Sequence, residues 1–152
     1  MKTKEIKIVL YEEQYRRDII NFIKRIAIEE YGFVKWEDDL ENMDFEPYKQ
    51  DDSRFWIVLD ENDKVIGTCG ALRENEDIIK FNTFYVDKNN RSTGLGANLY
   101  DVFINYAKEK KYKTIILGTF EKLSLAIRFY EKREFQLYKK DGEGRRYYKK
   151  DI

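Results

Sequence analysis

Between residues 91 and 97 the chain reads Arg-Ser-Thr-Gly-Leu-Gly-Ala. Two glycines one residue apart let a backbone approach a ligand with no Cβ atoms in the way, and an arginine adds a charge-assisted contact to an anion. The apolar run FNTFYVD (81–87) precedes this stretch and an amphipathic segment follows it, so it falls at a strand-to-helix junction. There the unpaired N–H groups of the first helical turn and the helix dipole attract negative charge. The chemistry indicated is the binding of a phosphate by main-chain amides of residues 92–97. Two other phosphate loops fail on spacing: a dinucleotide fingerprint requires a third glycine where Leu99 stands, and a P-loop requires Gly-Lys-Ser/Thr, which is absent. Two glycines that merely permit a tight turn are the purely structural alternative.

The 152 residues contain no histidine, which excludes Ser-His-Asp triads, Cys-His pairs, HExxH zinc sites and histidine general acids together. Proton transfer must then use Tyr, Glu, Asp, Lys, Cys or water. The single cysteine, Cys69, forbids an internal disulfide and any two-cysteine zinc motif, and reads as a small buried hydrophobe. Lys plus Arg and Asp plus Glu each number 29, so no bulk charge draws the chain to nucleic acid or to anionic lipid. No run of about 18 apolar residues occurs, and the N-terminal residues are charged too early for a signal peptide. We therefore expect a cytoplasmic protein, one domain spanning residues 1–152, with no nucleic-acid or membrane partner and no metal.

The elements that must position the loop follow from periodicity. Residues 4–10 read as a first strand, and Tyr15, Ile19, Phe22, Ile23 and Ile26 recur at helical spacing, predicting one long amphipathic helix over 12–31 that Gly32 stops. An acidic stretch around Pro47 reads as a short helix and loop. RFWIVLD (54–60) and VIGTCGALR (65–73) flank a short polar turn as a hairpin, and DIIKFNTFYVD extends the meander. Leu95, Leu99, Val102, Phe103, Tyr106 and Ala107 mark the next helix, 114–120 a buried strand, and Leu125, Ala126, Phe129 and Tyr130 one face of a last helix. A terminal hairpin turns at DGEG. The expected class is α/β, a mixed sheet in the order β-α-α-β-β-β-α-β-α-β-β with helices on its faces.

RSTGLG resembles the R/Q-x-x-G-x-G/A signature of the GNAT family of N-acetyltransferases, where it holds the pyrophosphate of coenzyme A. FNTFYVD resembles that family's fourth strand, which bulges and splays from the fifth so that its backbone pairs with the pantetheine arm. LSLAIRFYEKREF resembles the segment A-x-x-(F/L)-Y-x-x-x-G-F, with Ala126, Phe129, Tyr130 and Phe135 in register. Two positions depart from the pattern: Leu123 stands where many members carry a cofactor-contacting asparagine, and Glu134 replaces the glycine before the last phenylalanine.

The resemblance implies acetyl-CoA as cosubstrate, with Phe84, Tyr85 and Val86 pairing with its arm and Arg91, Ser92, Thr93, Gly94, Leu95, Gly96 and Ala97 at its diphosphate. It implies attack of a primary amine, of a small molecule or a peptide, on the thioester in a ternary complex. A main-chain N–H near Val86 would stabilise the oxyanion, and Tyr130 would protonate the departing thiolate, a phenol of pKa about 10 being protonated at neutral pH. An acceptor ammonium must first lose a proton. Glu29 and Glu30 are the candidate bases, set against the plain reading of an exposed helix end. Tyr31, Phe33 and Trp36 either line an acceptor pocket or cover the core edge, and Lys132 and Arg133 either meet the ribose phosphate or are solvated. A homodimer is one assembly open to such a chain. The competing function is a non-catalytic acyl-CoA-binding or regulatory module of the same fold.

Overall fold

Three consecutive runs rich in β-branched and aromatic residues are strands; the first two are buried along most of their length, and the third is mostly half-buried. The computed structural model describes residues 5–152. Its elements are β1 (Lys7–Leu10), α1 (Arg16–Lys24), a π-helical turn (Arg25–Glu30), α2 (Glu37–Glu41), β2 (Arg54–Leu59), β3 (Val65–Arg73), β4 (Ile78–Val86), α3 (Leu95–Glu109), β5 (Thr114–Phe120), α4 (Ser124–Lys132), β6 (Gln136–Lys140) and β7 (Arg145–Asp151). They form one seven-stranded mixed sheet in the order β1-β2-β3-β4-β5-β7-β6, antiparallel throughout except for the parallel pair β4–β5. The expected class and element order hold. Lys4, placed by periodicity in the first strand, lies outside the described residues, and the strand itself begins at Lys7.

One core lies on each face of the sheet. α3 and α4 cover one face, where Leu99, Phe103, Ile127 and Tyr130 pack on Cys69, Phe81, Ile115 and Tyr148. α1 covers the other, with Ile19, Phe22, Ile23 and Ile26 against Phe55, Ile57 and Val65. Cys69 is fully buried and its thiol is pushed up by burial, which makes it inert as a nucleophile.

Two helical expectations change. The segment predicted as one helix over 12–31 is α-helical only to Lys24; the Tyr31 amide then reaches Ile26 O at 3.2 Å and the Phe33 amide reaches Ala27 O at 2.9 Å, a widened turn. π-turns of this kind are frequent at functional sites. Gly32 does stop the helix with φ +74°. In α4 the buried face carries Ile127 and Tyr130, whereas Leu125, expected on that face, is 53% exposed. Glu134 takes φ +68° at the exit of α4, so the missing glycine is replaced by a strained glutamate, at a cost of about 1 kcal/mol.

Candidate active site

β4 and β5 pair only over Ile78–Lys80 and Thr114–Ile116, and beyond that point they part. A bulge opposite Cys69 bends β4 away: the β3 register jumps from Thr68↔Tyr85 to Gly70↔Asn82, and Thr83 sits at φ +51°. A β-branched residue in the left-handed region is costly and persists only when its surroundings hold it. Here the Thr68 hydroxyl donates to Thr83 O at 2.8 Å, and the Tyr48 hydroxyl donates to Asn82 Oδ1 at 2.6 Å. Gly70 is obligatory beside them, since a Cβ there would stand 2.5 Å from Asn82 Oδ1 and 2.7 Å from the Tyr48 ring.

The bulge sets the direction of the amides that follow. The Asp87 amide donates to Ile66 O at 2.9 Å, so residues 66 and 87 face each other as a hydrogen-bonded pair. At the neighbouring position, Val86 opposite Gly67, both backbone groups therefore point away from β3 and into the gap left by β5. The Val86 carbonyl accepts from Arg91 Nε at 3.0 Å; its N–H has no strand beside it.

The loop into α3 keeps its amides free. Ser92 and Gly94 take φ +67° and +90°, and Gly94 caps α3 with no side-chain capping bond. The first bond into the helix is the Asn98 amide to Gly94 O at 3.0 Å. No acceptor among the described residues takes the N–H groups of Ser92 to Ala97. A Cβ on Gly94 would meet nothing within 4 Å, so its glycine answers to the φ angle; one on Gly96 would touch Phe84 at 3.4 Å, where the loop closes on β4.

These parts converge on a cleft of about 480 Å³. Of the residues expected at a cofactor, Phe84, Tyr85, Val86, Arg91, Ser92, Gly94, Gly96 and Ala97 line it. Thr93 and Leu95 do not: the Thr93 hydroxyl donates to Asn90 O and the Leu95 side chain is buried in the core. Periodicity gave no sign that Ile26, Leu123, Leu125 and Arg128 belong to the wall. Lys132 and Arg133 also line it, Arg133 lying 3.5 Å over the Phe129 ring. No Asp or Glu among the described residues faces the cleft, so its charged groups are all cations.

Three expected roles are altered by this geometry. The Arg91 guanidinium is engaged by both carboxylate oxygens of Glu30 in a bidentate pair, so Arg91 ties the π-turn to the end of β4 rather than standing free for a phosphate. Glu30 is correspondingly occupied and Glu29 is exposed outside the cleft, which leaves neither placed as a base within it. Tyr130 is buried one layer behind the wall, its ring 6.5 Å from that of Phe84 and 5.9 Å from that of Phe129. Burial raises its phenol far above the ordinary tyrosine value; Tyr85, on the cleft surface, is pushed up to about 12 by the same cause.

At the far end of β5, Phe33 stacks on Trp36 at 4.1 Å, and both rings lean on Phe120, at 5.3 and 5.1 Å. Phe120 had no predicted role, because nothing in its local sequence says that a loop 80 or more positions earlier crosses the sheet to reach it. Among the described residues no three metal-ligating side chains come together, and no helix is long and apolar enough to cross a membrane.

Residues 20–135 match the Acetyltransferase (GNAT) family. An acetyltransferase of the GNAT family from Staphylococcus aureus Mu50 superposes with a TM-score of 0.85 over 97% of this chain and 99% of its own, at 27% identity. The PaiA N-acetyltransferase of Thermoplasma acidophilum, in complex with coenzyme A, superposes with a TM-score of 0.79 over 97% and 99% of the two chains; at 16% identity this is a likeness of fold. An N-acetylaspartate synthetase from Xenopus tropicalis is 32% identical over 96 residues, 61% of this chain and 35% of that protein, so the match spans about a third of the relative's length.

Proposed function

The chain belongs to the GNAT acetyltransferase family, and on that premise we propose that it is an acetyl-CoA-dependent N-acetyltransferase, acting as a single domain on a primary amine of a small molecule or peptide. The observation that carries this reading is the row of unbonded amides from Ser92 to Ala97, opening onto a cleft whose charged groups are all cations. A diphosphate needs both features, amides aimed at it and positive charge around it.

In this reading the amides of 92–97 grip the diphosphate, Arg128, Lys132 and Arg133 supply positive charge along α4, and the outward edge of β4 at Phe84–Val86 pairs with the pantetheine arm. Acetyl-CoA supplies the acetyl group as a thioester: the N–C bond to the amine forms, the C–S bond breaks, and sulfur leaves as a thiolate. The Val86 N–H, with no strand beside it, is the donor for charge developing on the carbonyl oxygen. Tyr130 gives the thiolate its proton, and its raised pKa keeps that proton in place through the neutral and mildly alkaline range. Reaching the sulfur requires Phe84 or Phe129 to give way. With no carboxylate among the described residues of the cleft wall, the ammonium proton of the acceptor leaves to water.

Thiol release from acetyl-CoA with a panel of amines tests this. The rate is expected to rise with pH through the pKa of whichever amine is supplied, shifting from amine to amine; a rising limb fixed at one pH for every acceptor would indicate a protein base instead. The buried position of Tyr130 favours one other reading, a module that binds acetyl-CoA without turning it over. Tight binding by calorimetry with no thiol released on any amine would establish that reading.

A further inference from the structure

Among the described residues, the face of the sheet opposite α3 and α4 has no helix over β5, β7 and β6. α1 packs on the β2–β3 half, and Phe33 and Trp36 reach across to Phe120. This uncovered strip is aromatic and basic. Arg145 sits 4.8 Å over the Phe120 ring, Lys122 5.3 Å over Phe33, Lys139 5.3 Å over Tyr147 and Lys149 5.7 Å over Tyr138. Among the described residues none of these four cations has a carboxylate within ion-pair distance. The acidic groups nearby are committed: Glu121 pairs with Arg146 at 3.4 Å, and Asp141 accepts the amides of Glu143 and Arg145 in the turn between β6 and β7.

Two of the four adjoin the mouth of the cleft. Lys122 precedes Leu123, a lining residue, and its Nζ is 3.5 Å from where a Cβ of Gly32 would stand, next to the lining residue Tyr31. Arg145 is joined to the same spot through Phe120, which the Phe33–Trp36 stack touches. The cleft thus has a cationic end at α3 and α4, and just outside its lining, beside Tyr31 and Leu123, a second pair of cations without ion-pair partners among the described residues lies over aromatic rings.

We propose that the acceptor is a small amine bearing a carboxylate, and that Lys122 and Arg145 hold this carboxylate over Phe33, Trp36 and Phe120 while the amine points toward Val86. The inference rests on the acetyltransferase reading above for its reaction, but not for its binding. Cations seated on rings and lacking counter-ions lose no existing pair when a carboxylate arrives, and the low-polarity floor strengthens the attraction relative to open water.

The test uses the whole protein and a Lys122→Gln/Arg145→Gln double variant, with alanine and alaninamide as acceptors that differ by one carboxylate. The double substitution is expected to raise KM for alanine about tenfold and to leave KM for alaninamide and for acetyl-CoA unchanged. Independently of turnover, N-acetylalanine should shift the amide resonances of residues 33–36, 120–122 and 145–147, more weakly at 0.5 M salt than at 0.05 M, and not in the variant. If alanine and alaninamide respond alike in both proteins, the inference fails while the enzyme stands. If no amine is acetylated but N-acetylalanine still titrates at these residues, the carboxylate site stands and the enzyme reading fails. Loss of both overturns both.

Discussion

The cleft at α3 and the patch beside it at the β5 tip are made of different materials. The end at α3 is backbone: six consecutive amides without internal acceptors, exposed by positive φ at Ser92 and Gly94 within one stretch of chain. The patch at the β5 tip, next to the cleft residues Tyr31 and Leu123, is side chain: Phe33 and Trp36 from the loop after the π-turn, Phe120 and Lys122 from β5 and its exit, and Arg145 from β7. A site built from amides needs few particular side chains beyond glycines that permit the path, so it tolerates drift elsewhere. A site built from side chains of distant segments depends on every one of them and can be changed one residue at a time. That difference suits a fixed donor and a variable acceptor.

Substitutions sharpen the contrast. The largest effect is expected between the two ends: Tyr130→Phe should lower kcat about 100-fold while KM for donor and acceptor stay within a factor of two, because the removed proton matters only as the thiolate leaves. An unchanged kcat would take Tyr130 out of the chemistry and leave protonation to water. Next, Gly94→Val forces a β-branched residue to φ +90° where its Cβ meets no neighbour, so the fold is retained but the amide row turns. With strain of about 2 kcal/mol, acetyl-CoA should bind about 30-fold more weakly, measured by calorimetry, with KM for the amine unmoved. Unaltered donor affinity would break the assignment of the backbone end. The smallest effect is Trp36→Ala, which removes one stacked ring worth about 1 kcal/mol and should raise KM for a carboxylate-bearing amine about fivefold without touching acetyl-CoA. A change in donor KM instead would mean that the two ends are not separable.

Legibility in the sequence follows the same division. The strands, α3 and the glycine loop were visible because their signals are local: alternation, helical spacing, and two glycines between them. Arg91 was visible as a residue but not in its bond to Glu30, a contact across 61 positions that no local pattern records. The π-turn was hidden because a widened turn uses the same apolar spacing as an α-helix up to the point where it diverges. A bulge in this strand was implied by the family resemblance, but its place at Thr83 was hidden, since threonine does not advertise φ +51°; it is imposed by Thr68, Tyr48, Asn82 and the close approach at Gly70.

By itself the sequence determined a mixed α/β sheet, a glycine loop at the start of α3, and a chemistry without histidine. Each is a property of composition or of residues within about ten positions of one another. Only the tertiary structure decided that Tyr130 lies behind the cleft wall and, among the described residues, that no carboxylate faces the cleft and that cations without ion-pair partners gather at the β5 tip. Burial and charge pairing are sums over neighbours brought from all along the chain, and a residue's own type fixes neither its neighbours nor its distance from them.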